Sequence, residues 1–186
     1  MLFQAGYLTI SSYDKKTELY TLRYPNHEVR QSYSISLLSA ITKESSKEVR
    51  SWGRSAREAL EGGGLETFCS ILQAVFARIP YEIDRREEAH YHGLLSMFLM
   101  SIELDPECEV MTNRGRIDLT VCTGSYVYVF EIKIDTSAER ALKQIEDMKY
   151  YERFKEDKNK RTIVLVGLSF NKRKGEDSLS YVSRVI

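Results

Sequence analysis

The pattern of apolar and polar positions divides the chain into a mainly helical first part and a second part that alternates helices with strands. Near the start, Tyr7–Ile10 and Leu19–Leu22 are short β-rich runs around a polar turn, which predicts a β-hairpin. Apolar residues at helical spacing then predict one long helix or two consecutive helices over 32–60, and another over 65–78. We expect residues 1–80 to form an appendage of hairpin and helices.

The second part, residues 81–186, predicts a separate domain with the order helix, three strands, helix, strand, strand. Its predicted elements are a helix from Asp84 to about Ile102, an extended segment at Cys108–Thr112, two hairpin strands around Gly124-Ser125, a helix from Thr136 to about Phe154, and strands at Thr162–Leu168 and Ser180–Val185. Capping boxes of Asp84 with Glu87 and of Thr136 with Glu139 open the two helices. This order predicts an α/β fold in which a helix crosses over the sheet.

The central hairpin brings two acidic residues together. If Gly124-Ser125 forms a two-residue II′ turn, Asp118 lies opposite Glu131, and Arg116 lies opposite Lys133. Facing carboxylates repel each other, and a divalent cation bound by oxygen ligands offsets that repulsion. Lys133 shares a face with Glu131 because side chains two residues apart point the same way. Two carboxylates and a lysine on one sheet face predict phosphodiester hydrolysis.

A different interpretation is that this acid-x-Lys triplet lies on a solvated strand. A one-residue slip in register would also put the two acids on opposite faces. The other face of the hairpin is apolar, however, and Val127 and Val129 on the carboxylate face indicate that this face is partly covered. Charged groups under such cover need partners. The predicted core face consists of Ile117, Leu119 and Val121 opposite Ile132, Phe130 and Tyr128.

Composition changes this picture little. Lys+Arg and Asp+Glu are both 27, so overall charge gives no argument for nucleic-acid binding, which must depend on local patches. Such patches occur at Arg50, Arg54 and Arg57, at Lys155–Arg161 and at Lys172–Lys174, and each is also typical of a solvated face or turn.

The three cysteines, Cys69, Cys108 and Cys122, lack metal-type spacing and are expected to be reduced, mostly buried thiols. The sequence has neither a signal-peptide pattern nor an apolar run near the length of a membrane span. We therefore expect a cytoplasmic protein with no membrane partner.

From about residue 84 to the end, the chain resembles the PD-(D/E)XK nuclease superfamily. More narrowly, it resembles the nuclease-like domain found C-terminal to predicted AAA-type ATPases in bacteria such as Bacteroides. The N-terminal stretch over 2–22 is similar to the tail of the ATPase region in such proteins. The motifs that carry the resemblance are Glu88–His92, Glu109 ahead of Gly115–Asp118, Phe130–Lys133, Ala141–Ile145 with Tyr150, and Val166–Phe170.

The resemblance implies a restriction-endonuclease-like core, αβββαβ, with a mixed central sheet flanked by helices. It also implies that Asp118, Glu131, the carbonyl of Ile132 and Glu88 hold Mg²⁺ or Mn²⁺. Such a metal polarises the scissile phosphate and lowers the pKa of a bound water. Lys133 would orient that water or stabilise charge on the phosphate. The remaining catalytic candidate is Gln144, which would support the site structurally or contact the nucleic-acid backbone.

For several neighbouring residues, the sequence allows two different roles. Glu88 and His92 lie four apart and can form a simple helix-surface pair, and His92 is expected in the core or supporting the site rather than as a ligand. Glu109 points at the site or caps the sheet edge. Arg116 contacts phosphate or only offsets the acids, and Tyr150 is expected to serve packing.

The function predicted is a metal-dependent nuclease that acts on DNA. The alternative is a non-catalytic module that binds nucleic acid or protein and regulates an ATPase. The chain itself lacks the phosphate-binding loop of an ATPase, because Gly62-Gly63-Gly64 is followed by Leu65-Glu66-Thr67 rather than by lysine. The expected partners are nucleic acid, an ATPase module in cis or in trans, and a second copy of the chain that pairs through the N-terminal hairpin.

Overall fold

The computed structural model describes residues 2–80, 87–112, 115–156, 160–171 and 179–186. The helices are α1 (His27–Thr42), α2 (Ser46–Glu61), α3 (Leu65–Phe76), α4 (Glu88–Ser101) and α5 (Ala138–Asp147), with a 3₁₀ helix at Tyr150–Phe154. The strands are β1 (Thr9–Asp14), β2 (Leu19–Arg23), β3 (Glu107–Thr112), β4 (Gly115–Cys122), β5 (Tyr126–Ile134), β6 (Thr162–Phe170) and β7 (Leu179–Val185).

The main sheet has the strand order β3-β4-β5-β6-β7. Among the described strands of this sheet, β5 and β6 run parallel and α5 connects them across one face, whereas the other neighbours are antiparallel. The parallel pair requires such a crossover, because parallel strands cannot be joined by a tight turn. The predicted order of helix, three strands, helix and strand in a mixed sheet is confirmed, and this is the restriction-endonuclease-like core.

The sheet separates two hydrophobic clusters. The larger one joins the helices α1 to α4 to one face of the sheet and includes Leu38, Phe98 and Phe130. The smaller one lies on the α5 side and includes Val129 and Ile145. Burial on both faces explains why β6 is an almost uninterrupted apolar run.

Ile117 is a correction to the predicted core face. It packs in the smaller cluster, on the α5 side, whereas Leu119 and Val121 pack in the larger one. Residues two apart in a regular strand share a face. The change of face therefore marks an irregularity of β4 at Asp118, the residue between Ile117 and Leu119.

The helices of the first part are continuous with this core. Ala56, Leu60 and Phe68 are fully buried in the larger cluster, and the Tyr128 hydroxyl of β5 donates a hydrogen bond of 2.7 Å to the Leu60 carbonyl at the end of α2. Helix α2 thus packs directly on the sheet that carries the acidic residues. The division at residue 80 stays a prediction.

Removal of the Tyr128 hydroxyl is expected to lower stability. Tyr128→Phe leaves the ring in the core but removes a buried donor, so the free energy of unfolding should fall by about 1–2 kcal/mol. Urea unfolding would measure the change. The matched control is Tyr20→Phe, since the Tyr20 side chain is 60% exposed and should lose less than about 0.5 kcal/mol. Equal stabilities for wild type and Tyr128→Phe would contradict this assignment.

The N-terminal hairpin is present, although β1 begins two residues later than predicted and extends to Asp14. Its turn is stabilised by the Asp14 carboxylate, which accepts hydrogen bonds from the Lys16 backbone and the Thr17 hydroxyl. The rings of Tyr13 and Tyr20 lie 4.6 Å apart on this exposed ribbon. Pairing of this hairpin with a second copy stays a prediction.

Helix boundaries show where local signals misled the prediction. Of the two alternatives predicted for 32–60, two consecutive helices is confirmed, because Lys43 adopts a left-handed conformation with φ 59° after α1, but α1 begins earlier, at His27. Helix α5 is capped by Ser137, whose hydroxyl accepts from the Arg140 backbone, so the predicted Thr136–Glu139 box is wrong by one residue. The same helix ends at Asp147 rather than near Phe154, because Lys149 is left-handed. Asp84, Asn113, Arg114 and Lys172–Lys174 lie outside the described residues.

The central hairpin confirms the predicted register. Leu119 faces Phe130 and Cys122 faces Val127, as a two-residue loop at 124–125 requires. The II′ turn type is wrong, because Gly124 lacks a positive φ. Instead, the Thr123 hydroxyl accepts a hydrogen bond of 3.0 Å from the Tyr126 backbone and closes the loop.

Candidate metal centre

The acidic residues lie where β4 and β5 separate. The backbone pairing of these strands ends at Leu119 and Phe130, one step before Asp118 and Glu131. Beyond that point the Asp118 carboxylate accepts a buried hydrogen bond of 2.9 Å from the backbone N–H of Ile132. The Asp118 side chain thus takes the place of a backbone hydrogen-bond acceptor between the two strands. The hydrogen bond fixes one Asp118 oxygen beside β5.

Lys133 connects two of the carboxylates. Its Nζ donates to Glu131 Oε1 at 2.7 Å and to Glu88 Oε1 at 3.2 Å. Glu131 is fully buried and Lys133 is mostly buried, whereas the Glu88 side chain is 44% exposed at the start of α4. The ammonium group therefore joins the first turn of α4 to the end of β5.

Two buried atoms of this cluster lack a hydrogen bond within the described part of the chain. They are Glu131 Oε2 and His92 Nε2. His92 Nε2 does lie 3.2 Å from Asp118 Oδ2, so the two side chains form an ion pair when the imidazole is protonated. Buried polar atoms are normally satisfied. A buried carboxylate oxygen and a buried imidazole nitrogen that lack hydrogen bonds are each suited to bind a cation.

The charges shift the pKa values of these groups. Burial and the nearby Asp118 charge raise the pKa of Glu131 to about 7, although Lys133 opposes that rise. Burial alone would lower the pKa of Lys133, but its hydrogen bond and attraction to Glu131 raise the pKa above the ordinary value. The Lys133 ammonium group therefore stays protonated at neutral pH.

His92 responds in the same way to its acidic surroundings. Burial would lower its pKa, but the proximity of Asp118 and the charges of Glu88 and Glu131 raise it above the ordinary value. An excess of negative charge thus stabilises the imidazolium when no metal is present. A bound cation would instead balance the negative charge itself, and it would bind the neutral form of the His92 imidazole.

Ligand geometry identifies a three-residue set within the described residues. One ligand atom from each of Glu88, His92 and Asp118 lies within 4.8 Å of the other two. Two members of this set, Glu88 and Asp118, were predicted as ligands, whereas the predicted ligand Glu131 is not part of it. His92 was expected only in the core or in support. The sequence signal for His92 was its position one helical turn after Glu88.

The other predicted residues have different surroundings. Glu109 and Arg116 form an exposed ion pair at 3.5 Å. The pairing of β4 with β5 ends at Leu119, so Arg116 is paired with Met111 on the β3 side but not with Lys133 as predicted. Gln144 is half-buried on α5, and no hydrogen bond joins its side chain to another described residue. Tyr150 is buried in the smaller cluster and serves packing, as predicted.

Gly167 sets the distance between α5 and the sheet. It is paired with Glu131 in the neighbouring strand. A Cβ atom at this position would lie 2.2 Å from the Ala138 carbonyl oxygen and 2.6 Å from the Leu142 nitrogen. The start of α5 therefore packs directly on the β6 backbone beside the buried carboxylate.

The cysteine prediction was correct only in part. All three thiols are free, and Cys69 is buried, but Cys108 is exposed and Cys122 is half-buried. Burial raises the pKa of the Cys69 thiol to about 12. Such a thiol stays protonated and unreactive at neutral pH.

Neutralisation of Glu131 is expected to stabilise the metal-free protein above neutral pH. Because folding raises the pKa of this carboxyl, its protonated form favours the folded state, and that stabilisation is lost as pH rises through about 7. Glu131→Gln keeps the neutral form at every pH. We expect it to raise the melting temperature at pH 8 in EDTA by a few degrees, which corresponds to about 1 kcal/mol or more.

Thermal unfolding at pH 5.5 supplies the control for this prediction, because wild type and variant should then differ by much less. The neutral variant should also lose affinity for a divalent cation. A lower melting temperature for Glu131→Gln at pH 8 would show that the Lys133 pairing outweighs the cost of burial, contrary to this account.

Comparisons with known proteins agree with the fold. Residues 86–177 match the family model described as PD-(D/E)XK nuclease superfamily. The chain is 34% identical over 197 residues to the "Uncharacterized protein in vnfD 5'region" of Azotobacter chroococcum mcd 1. That alignment covers 100% of this chain and 36% of the relative, so the chain spans about a third of the length of the relative. No solved structure matches significantly.

The superfamily prediction is therefore supported, whereas the narrower group linked to AAA-type ATPases stays a prediction. Of the helices that the structure describes, none combines the length and the apolar character needed to cross a bilayer.

Proposed function

We propose that this chain is a metal-dependent nuclease that hydrolyses phosphodiester bonds of DNA with Mg²⁺. The proposal is supported by the PD-(D/E)XK match over residues 86–177 and by the acidic cluster at the end of β5. One observation carries the proposal: Glu131 Oε2 and His92 Nε2 are buried without hydrogen-bond partners among the described residues, beside Asp118 and Lys133. If no ligand bound here, burial of these two polar atoms without hydrogen bonds would cost free energy of folding.

The proposed ligands of the cation are Asp118, Glu131, the carbonyl of Ile132 and Glu88. His92 is a further ligand candidate, because its Nε2 lies close to Asp118. Oxygen donors favour Mg²⁺ or Mn²⁺, and an imidazole donor shifts the preference away from Mg²⁺. When bound, the cation polarises the phosphate and lowers the pKa of a water ligand.

Lys133 supplies a fixed positive charge in this proposal. Its raised pKa makes it unsuitable as a general base but suited to stabilising negative charge that develops on the phosphate. Its two carboxylate partners orient the ammonium group. Asp118 is itself positioned by the Ile132 backbone N–H, so the first ligand is preorganised. Gln144 is proposed to contact the substrate backbone from α5.

The direct test is DNA cleavage by the full chain. Linear and circular DNA are incubated with Mg²⁺, with Mn²⁺ and with EDTA, alongside Asp118→Ala and the control Glu58→Ala, which alters an exposed carboxylate of α2. We expect cleavage that requires the metal, is lost in Asp118→Ala and is unchanged in Glu58→Ala. Cleavage that persists in EDTA or in Asp118→Ala would refute the proposal.

Calorimetry with Mg²⁺ and Mn²⁺ distinguishes the alternative, a regulatory module without catalysis. Metal binding without cleavage of any tested nucleic acid would support that module. An ATPase module and a second copy of the chain are proposed partners. The greater length of the relative from Azotobacter chroococcum is compatible with a further module in cis.

A further inference from the structure

A second positively charged feature lies at the opposite end of α4 from the acidic cluster. Three arginines of α2, at positions 50, 54 and 57, line a groove of about 330 Å³ together with the end of α4. Their spacing places them on one stripe of the helix, because residues three and four apart are neighbours on a helix surface. Like charges in this arrangement destabilise a helix by a few tenths of a kcal/mol.

Among the described residues, only one of the three arginines has carboxylate partners. Arg57 pairs with Glu61 at 2.9 Å and with Glu103 at 2.8 Å. Arg50 and Arg54 are exposed, and neither has an ion-pair partner in the part of the chain that the structure describes. Two guanidinium groups are therefore available to an anion. Elsewhere, Arg30, Arg78 and Arg184 each have a carboxylate partner.

Close packing forms the floor of this groove. Gly53 lies between the arginines, and a Cβ atom at this position would lie 2.8 Å from the Ile102 side chain. Helix α2 therefore approaches the end of α4 closely. On the α1 side, the Gln31 amide donates to the Ser101 carbonyl at 3.3 Å. The groove thus combines the Gln31 amide, the ion pair of Arg57 with Glu103, and two guanidinium groups that are unpaired among the described residues.

The position of the groove relates it to the acidic cluster. Glu88 and Ser101 are the first and last residues of α4, so the two sites lie about 20 Å apart along the helix axis. That distance corresponds to about six base pairs of duplex. One anionic polymer can reach both places, whereas a small anion cannot.

We propose that the groove formed by Arg50, Arg54 and Gln31 binds the phosphate backbone of the nucleic-acid substrate about six base pairs from the bond that is cleaved. The proposal rests on the proposed nuclease function. Guanidinium groups suit it because they bind phosphate oxygens through two parallel hydrogen bonds. The groove would position the substrate without reading its sequence.

The test is binding of a fluorescent DNA duplex of about 24 base pairs to the full chain in EDTA, where no cleavage is expected. Arg50→Gln combined with Arg54→Gln removes both free charges. We expect the affinity at 0.1 M salt to fall at least about 10-fold and the slope of log K against log salt to decrease by about 2. Lys15→Gln with Lys16→Gln, in the hairpin turn, removes the same charge and should change the affinity less than about 2-fold.

Unchanged affinity in the double arginine variant would overturn the groove proposal. Displacement of DNA by poly-glutamate at equal charge concentration would also overturn it, because the groove would then be a general anion site.

The same variants separate the two proposals. DNA cleavage that does not depend on Arg50 and Arg54 would support the nuclease function and refute the proposal that the groove binds the substrate. DNA binding that depends on both arginines, without metal-dependent cleavage, would support the groove and refute the nuclease function.

Discussion

Lys133→Ala is expected to reduce the rate of metal-dependent DNA cleavage by about 10²–10³-fold, because it removes the only cation that contacts Glu131 and Glu88 among the described residues. Loss of a single preorganised hydrogen-bond donor at a developing negative charge has an effect of this size. Single-turnover cleavage with saturating Mn²⁺ would measure the rate.

Two comparisons make this result specific. Lys143→Ala removes an exposed lysine of α5 and should keep the wild-type rate. Calorimetry on Lys133→Ala should still show Mn²⁺ binding, because the carboxylate ligands remain. A Lys133→Ala protein that binds Mn²⁺ and cleaves at the wild-type rate would contradict the role given to this ammonium group.

Gly167→Ala is expected to cause the largest loss of stability. The added methyl group would lie 2.2 Å from one α5 backbone atom and 2.6 Å from another, and backbone cannot yield as a flexible side chain does. The helix must therefore move away from the sheet. We expect a loss of about 3 kcal/mol or more in the free energy of unfolding, at or above the upper end for overpacked cores. Urea unfolding would measure it.

Gly124→Ala is the matched control for this substitution. Nothing lies within 4 Å of a Cβ atom at position 124, so its stability should change by less than about 0.5 kcal/mol. Displacement of α5 in Gly167→Ala should also disturb Glu131, the strand neighbour of Gly167. A Gly167→Ala protein as stable as wild type would show that α5 does not pack on β6 as described.

The sequence allowed the sheet and its register to be predicted because strand signals are local. Alternating apolar positions and the loop at 124–125 were sufficient to pair Leu119 with Phe130 correctly. The end of the ladder could not be predicted in this way. It depends on a side chain, that of Asp118, which accepts the Ile132 backbone N–H in place of a backbone partner. Ile117 was assigned to the wrong face for the same reason.

His92 shows a second limit of prediction from sequence. Its position one turn after Glu88 was visible, but its proximity to Asp118 depends on how the start of α4 packs against β4 and β5. Packing of separate elements leaves no local signal. The helix cap at Ser137 illustrates a smaller error, because Thr136 and Ser137 are both good caps and only the folded chain distinguishes them.

The most direct test of the central claim is the position of a bound cation. Crystals of the full chain grown with Mn²⁺ would show the ion by anomalous scattering. The account predicts a peak about 2.0–2.4 Å from oxygens of Asp118 and Glu131, near His92 and Glu88. A peak elsewhere with no ion at Asp118, or no peak at saturating Mn²⁺, would contradict it.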